Sequence, residues 1–415
     1  MANTAVVASV IAKQSLAMLE NNLEVFKTFY RAHESEFDQR VNGYMKGATI
    51  NIRRPADFTV RSGATLSVQD VIEGTVPLTV DQQVGVDFQF TSTELTLLLN
   101  SSTDVAERVI KPAMSNLINY ITNDVLTQAY RGAYNWVGTP GTRLTTFLGF
   151  TKGAERLDEM AAPSDGRTNV LCPNDYYGVL GANTAFYNPG IVNSAVRDGV
   201  VGDLCGMPTM MSQLTPTHTV GPLGGTPLVN GASQNVTYDT AKNTWASSLI
   251  TDGWTAAAAA RVKQGDVFTI ANVYMVNPKT KAATNILQQF VVNADGSSDG
   301  SGNLTMSVSP PIITSGPYQT VNAAPADNAA LTFLGTPSTP CRQNLAYHKT
   351  AMALAMVPMD MPPGAYGAAR ESYKGMSVRV IPVYDGTNDI SKWRLDCLYG
   401  RKLIDPRLIT RLSGT

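Results

Sequence analysis

Residues Thr49 to Ser62 read T-I-N-I-R-R-P-A-D-F-T-V-R-S, and no other stretch limits the fold as tightly. Ile50 and Ile52 alternate with polar neighbours, the mark of a strand buried on one face. Arg53-Arg54-Pro55 stops the alternation, Phe58 and Val60 restart it, and Gly63 breaks it again. A second alternating run, Val84-Gly85-Val86-Asp87-Phe88-Gln89-Phe90, follows the Pro77 region. The spacing predicts an extended β ribbon of about forty residues that carries several arginines and no cluster of catalytic type. A lone hairpin is marginal in water. The ribbon must therefore lie on another domain of its own chain or on another copy of the chain, and the second option makes the protein a building block.

The rest of the chain is large enough to supply such a domain. It has 415 residues, 43% of them hydrophobic, which by length alone allows roughly two or three domains. Lys+Arg 32 against Asp+Glu 33 leaves a net charge of -1. That excludes a basic arm that condenses nucleic acid, though not a local basic patch. Charged residues make up 16%, against about a quarter in ordinary domains. A charge-poor surface suits extensive protein–protein contact, and it equally suits a bland β-rich protein. Cys172, Cys205, Cys341 and Cys397 are widely spaced and form no C-x-x-C pair, as expected for scattered reduced thiols in a cytosolic protein. The first apolar run is broken by Lys13 and Gln14, and no window approaches a membrane span. The expectation is a protein made and used in a cytoplasm, with no membrane partner.

In chain order, Thr4 to Phe37 reads as helix from Val7, Val10, Ile11, Leu16, Leu19, Leu23 and Phe26. The ribbon follows at roughly 45 to 90. Ser101 to Asp104 offers helix N-caps. Val105, Val109, Met114, Leu117, Ile118, Ile121, Val125 and Leu126 then form a helical stripe. Pro112, tolerated only in a first turn, divides it into a short helix and a long one ending near Tyr130. Glu155 to Met160 predicts helix, Asn169 to Cys172 a buried strand, Tyr176 to Leu180 a helix capped by Pro173-Asn174-Asp175, and Gly199 to Ser212 a turn and strand. From Gly221 the character changes. Pro222, Gly224, Gly225 and Pro227 form a linker. Short strands follow at Asn235–Tyr238, Asp266–Tyr274, Gln288–Val292 and Leu304–Val308. Ala256 to Ala260 is taken as strand, Asn293 to Asn303 as a flexible loop, and Gly335 to Pro340 as a second linker. This resembles a small β-barrel or sandwich inserted into a host domain. Asn344 to Met356 resumes a packed segment. Val378 to Tyr384 and Trp393 to Leu398 form a hairpin around Asp385-Gly386-Thr387-Asn388, and Leu403 to Arg407 extends it.

Chemistry is hard to find. His33, His218 and His348 are the only histidines, and none sits in H-E-x-x-H or at Cys–His ligand spacing. Each reads as a surface or core residue. No phosphate-binding glycine loop is present. Asp295 to Asn303 resembles a calcium loop in composition only. No catalytic, cofactor-binding or metal residue is assigned, and no cofactor is expected.

The order of parts does point to a family. The chain resembles the major coat proteins of short-tailed, double-stranded DNA bacteriophages, in the branch with an inserted β-barrel domain. The words that carry the resemblance are T-I-N-I-R-R-P-A-D-F-T-V at Thr49 to Val60, F-T-S-T-E-L-T-L at Phe90 to Leu97 and E-R-V-I-K-P-A-M at Glu107 to Met114. S-Q-L-T-P-T-H-T-V-G at Ser212 to Gly221 and Q-N-L-A-Y-H-K-T-A-M-A-L-A at Gln343 to Ala355 flank the insert, and V-K-Q-G-D-V-F-T-I at Val262 to Ile270 lies within it. The resemblance implies an α+β chain of the Hong Kong ninety-seven-type phage capsid fold. It would have an N-terminal arm at 1–44, an extended β-hairpin loop at 45–90, and a peripheral domain with a spine helix at 91–150 and 376–415. An axial domain would occupy 151–225 and 341–375, and a small inserted β-barrel 226–340.

The function this implies is that of a non-enzymatic major capsid protein, self-assembling into the icosahedral virion shell of a tailed bacteriophage in the host cytoplasm. Its partners would be itself in pentamers and hexamers, a scaffolding protein, a portal protein, packaged double-stranded DNA read without sequence specificity, and decoration proteins. Arg53, Arg54, Phe58 and Arg61 are the candidate intersubunit contacts, and Leu117, Ile121 and Val125 the spine-helix core. The alternatives are another phage structural protein, of tail or decoration type, and an α+β enzyme.

Overall fold

The computed structural model describes residues 25–37, 40–41, 44–45, 48–97, 109–183, 199, 201–364, 367–373 and 376–414. Most of the expected N-terminal helix, the N-cap candidates Ser101 to Asp104 and most of the short helix before Pro112 lie outside these residues. The chain forms two compact units. One comprises Met1–Ile50, Pro77–Val125 and Met352–Lys402, the other Asn51–Val76, Leu126–Ala351 and Leu403–Thr415.

The first unit is built on a sheet whose strands run in the order Ala369–Tyr373, Met376–Asp385, Ile390–Leu403, Thr75–Thr91, Thr49–Arg53, with Met352–Val357 also paired to Ile390–Leu403. The alternation at Val84 to Phe90 does mark a strand, but not a free ribbon. Trp393 pairs with Phe88 and Leu395 with Val86 across an antiparallel ladder, so the sheet itself meets the alternation's need for cover. The predicted hairpin is present, its turn held by the Asp385 carboxylate, which accepts from Thr387 N and Asn388 Nδ2. The long helix is Lys111–Gly132. Pro112 sits in its first turn, where its missing N–H costs no intrahelical hydrogen bond. Leu117, Ile121 and Val125 are buried, as expected of the core stripe. One turn of this helix is tied to the strand Ile390–Leu403: the Tyr399 hydroxyl donates to Asp124 Oδ2 at 2.6 Å, and Arg401 pairs with the same carboxylate.

The second unit holds two six-stranded sheets and two two-stranded ones. The first runs in the order Trp136–Val137, Ile409–Leu412, Asn344–His348, Arg167–Leu171, Met207–Met211, Asp203–Leu204. The helices Phe147–Glu159 and Pro173–Asn183 share its core through Phe150, Ala154, Leu157, Tyr176 and Val179, with Leu171, Ala346 and Leu412. A Cβ at Gly153 would strike the Leu412 side chain, so the helix can approach this strand only through a glycine. Leu403 to Arg407 had been expected to extend the C-terminal hairpin. The strand instead ends at Leu403, where Pro406 and the turn Pro406–Leu408, capped by the Asp405 carboxylate on Arg407 N, stop it, and Ile409–Leu412 then pairs with Asn344–His348 in this sheet.

The second sheet is antiparallel, in the order Gly225–Val229, Ser247–Trp254, Leu304–Ser309, Ala283–Val292, Val267–Val276, Leu331–Phe333. An isolated bridge joins Leu228 to Ala330. Its core is drawn from this stretch alone, with Trp254, Phe268, Ile270, Phe290, Val308 and Ile312 among its members. Two expectations fail here. Asn235–Tyr238 is no strand: Val236 N makes one bond to Ile312 O, and the chain then turns into the helix Tyr238–Ala241. The stretch Asn293 to Asn303 is not loose. It contains the strand Gly296–Ser298, paired to Ala259–Val262, and Asp299 accepts from Ser301 N, Asn303 N and Asn303 Nδ2. Polar side chains, Ser298 and Asp299 among them, supply the anchors that an apolar pattern would otherwise have provided.

Thr217–Thr219 and Pro340–Arg342, on either side of this stretch in sequence, pair with each other. A second cluster joins this sheet to the other, with Tyr134, Trp136 and Met160 packed against Val267, Met275 and Val291. The Gln289 amide bonds both the N–H and the C=O of Trp136, at 2.8 and 2.7 Å. Beneath it lies a buried polar knot. His218 Nε2 lies 2.8 Å from Asp266 Oδ1, and Asp266 also accepts from the N–H groups of Gly221 and Lys263. Arg411 stacks over Tyr130 and Trp136 and gives Nη1 to Gly265 O. Burial holds the His218 imidazole below its usual value, as does the nearby Arg411 charge, despite the hydrogen bond to Asp266.

Candidate assembly loop

Between the strands Thr49–Arg53 and Thr75–Thr91 runs a loop, 54–74, with no regular structure. The strands on either side are antiparallel, since Val80 N bonds Ala48 O and Arg54 N bonds Gly74 O. Phe58 and Val60 therefore lie in the loop, not in a renewed strand. The loop has a fixed base and an uncovered tip.

The base is docked on its own chain. The Arg54 guanidinium lies 5.2 Å from the Trp245 ring centroid and donates from Nη2 to Ile404 O at 3.3 Å. Burial lowers its pKa, Asp405 pulls it back up and Arg407 opposes. The Tyr318 hydroxyl accepts from Asp57 N at 3.0 Å and donates to Ile72 O at 2.5 Å, so one group clamps both arms of the loop. Tyr318 is itself stacked on Tyr238, with ring centroids 3.5 Å apart. Lys281 pairs with Asp57 at 3.0 Å. Gly74 passes so close to Lys242 O and the Tyr238 hydroxyl that any Cβ would collide.

The tip is different. Gln69 grips Thr59 three times, accepting from its N–H and hydroxyl and donating to its C=O. Arg61 donates to the carbonyls of Gly63 and Thr65. These bonds shape the loop and cover nothing apolar. Phe58 is 52% exposed, Val60 99%, Leu66 76%, Val68 82% and Val71 68%. Five large apolar side chains left in water within one short loop are not the normal scatter of a surface.

The four predicted contact residues thus divide. Phe58 is at the uncovered tip. Arg53 is exposed and only loosely paired with Glu73 at 3.6 Å. Arg61 serves its own turn. Arg54 is half-buried against Trp245 of its own chain, a contact with no local sequence signal because Trp245 lies far along the chain. Leu66, Val68 and Val71 escaped the sequence reading because Gly63 appeared to end the pattern.

Nothing else among the described residues looks reactive. There is no group of three or more His, Cys, Asp or Glu that could hold a metal, and no helix is long and apolar enough to cross a membrane. Burial pushes the thiols of Cys172 and Cys341 up to about 11 and that of Cys397 to about 12. His218 is buried in the knot described above.

The comparisons agree. The chain belongs to the P22 coat protein family, described as "P22 coat protein - gene protein 5", whose model matches residues 1–414. It is a shell-forming phage coat protein. It is similar to the major capsid protein of Acyrthosiphon pisum secondary endosymbiont phage 1, at 20% identity over 89% of each chain. Among solved structures, it is similar to a chain of Mycobacterium phage Che8, at 11% identity and TM-score 0.49, over 94% of this chain and 91% of that one. A chain from the mature capsid of bacteriophage PhiM1 matches at 10% identity and TM-score 0.40, over 89% and 82%.

Proposed function

We propose that many copies of this chain close into an icosahedral shell around the double-stranded DNA of a tailed bacteriophage, and that the tip of the 54–74 loop binds a neighbouring copy. The observation that carries this reading is the set Phe58, Val60, Leu66, Val68 and Val71, held out on a loop whose base is pinned. Burying such side chains is worth about 1.5–3 kcal/mol each, and a second copy offers the cover that this chain lacks.

The reading takes the fold as Hong Kong ninety-seven type. The helix Lys111–Gly132 is its spine, the sheet of the first unit its peripheral domain, and the sheet from Trp136–Val137 to Asp203–Leu204 its axial domain. The stretch from Gly225 to Phe333 is the inserted barrel, and the Leu228–Ala330 bridge between its edge strands supports closure. A scaffolding protein, a portal protein and decoration proteins are the further partners, and assembly takes place in the host cytoplasm. A net charge of -1 supports a container filled by a motor, since counterion release cannot gather the DNA. Buried histidine and protonated thiols support the absence of catalysis. The test is assembly of the purified chain with its scaffold, followed by sedimentation and negative-stain microscopy. Closed shells of uniform diameter are expected; tubes, rings or isolated trimers would overturn the proposal.

A further inference from the structure

We propose that the base of the 54–74 loop is a binding site for an oxyanion, a carboxylate or phosphate group held between Arg54, Lys279 and Arg407. These residues line a cavity of about 210 Å³ with Asp57, Tyr238, Trp245, Tyr318 and Asp405. Both acids facing the cavity are already engaged. Asp405 accepts from Arg407 Nη2 at 2.8 Å, from Arg407 Nε at 3.0 Å and from Arg407 N at 3.0 Å. Asp57 takes Lys281 on Oδ2 at 3.0 Å and Phe58 N on Oδ1 at 3.1 Å.

The cations are not matched in the same way. Arg54 gives Nη2 to a carbonyl at 3.3 Å, and its buried Nε has no acceptor. Lys279 takes part in no ion pair among the described residues, and Arg407 bonds Asp405 through Nε and Nη2 only. The lining therefore holds three cations against two acids, and Lys281 neutralises one of those acids from outside the lining. Asp405 is shared between Arg407 and Arg54, so the charge of the partly desolvated Arg54 is compensated only in part, and an oxyanion placed among these groups adds charge-assisted bonds. Stacking on Trp245 and the single bond to Ile404 O leave other guanidinium N–H groups of Arg54 to donate to a carboxylate or phosphate oxygen.

The occupant can come from a carboxylate of a second copy, brought in as the shell forms, or from free phosphate. The capacity to bind is tested on the unassembled full-length chain, apart from the shell reading. Inorganic phosphate is titrated at constant ionic strength and followed calorimetrically. Saturable one-site binding is expected. Lys279→Gln, at an exposed position, should weaken it about tenfold, the loss of one charge-assisted contact. Arg54→Lys, which keeps the charge but not the fork, should weaken it as well. Absence of saturable binding, or equal affinity in both variants and the parent, would overturn the site. Its source follows from assembly kinetics. If saturating phosphate slows the parent but not Lys279→Gln, the natural occupant is a carboxylate of a second copy. If phosphate leaves assembly unchanged, the site takes the free ion.

Discussion

The inserted stretch from Gly225 to Phe333 and the loop at 54–74 carry apolar residues to opposite ends. In the insert, Trp254, Phe268, Ile270 and Phe290 face one another in a closed core. In the loop, Phe58, Val60, Leu66, Val68 and Val71 face water while polar bonds hold the backbone in place. A region that completes its own burial serves stability. A region that keeps its shape without burying its apolar groups is set up for a partner. Mutations should therefore separate the two, with large stability losses in the first and none at the tip of the second.

The largest loss should come from Phe268→Ala. Phe268 is fully buried, with ring centroids 5.7 Å from Phe290 and 5.1 Å from Phe333, and its truncation should cost about 3–5 kcal/mol in denaturant unfolding. Ile121→Ala on the long helix should cost about 2–5 kcal/mol by the same measurement. Insoluble or temperature-sensitive protein is the expected phenotype.

Acid should weaken the packing around the buried His218 knot. His218 has its folded-state pKa lowered by burial, and His348 shifts the same way for the same reason. The unfolded chain therefore binds protons that the fold refuses as pH drops below about 6.5. Stability should fall from pH 7.5 to pH 5.5, a range above ordinary carboxylate titration, and His218→Gln should flatten that slope. A stability that is flat or rises on acidification would contradict the buried neutral imidazole.

The loop base should give a smaller effect. Tyr318→Phe removes the hydroxyl that clamps Ile72 and Asp57 but keeps the stack on Tyr238, so about 1 kcal/mol is expected. Amide exchange at Asp57, whose N–H loses its acceptor, should rise, with the core around Phe268 and Phe290 unaffected.

How legible this was depends on how local each cause is. The strand at Val84 to Phe90, the hairpin at Asp385 to Asn388 and the helix stripe Leu117, Ile121, Val125 were readable because neighbouring residues carry the whole pattern. The strands Val267–Val276 and Leu304–Ser309 were readable from their apolar runs, whereas the expected linker around Gly225 and Pro227 is an edge strand, Gly225–Val229. Ile409–Leu412 was not, since the short turn after Asp405 reads like more strand. The order at Asn293 to Asn303 was hidden because Asp299 and Ser298 act through hydrogen bonds that leave no periodicity. The loop was half legible. Arg53, Arg54, Phe58 and Arg61 marked the right place, but the roles of the arginines depend on Trp245, Tyr318 and Ile404, which only the fold brings near.

The central claim is that the loop tip is built for contact and not for stability. The most direct measurement takes the double substitution Val60→Ser with Val68→Ser, both at highly exposed positions. Its unfolding midpoint and its yield of shells are measured side by side with the parent. The account predicts stability within about 0.5 kcal/mol of the parent, as for surface changes, together with a severe loss of assembled shells. Normal shells from this variant, or a chain that unfolds as readily as Phe268→Ala, would contradict it.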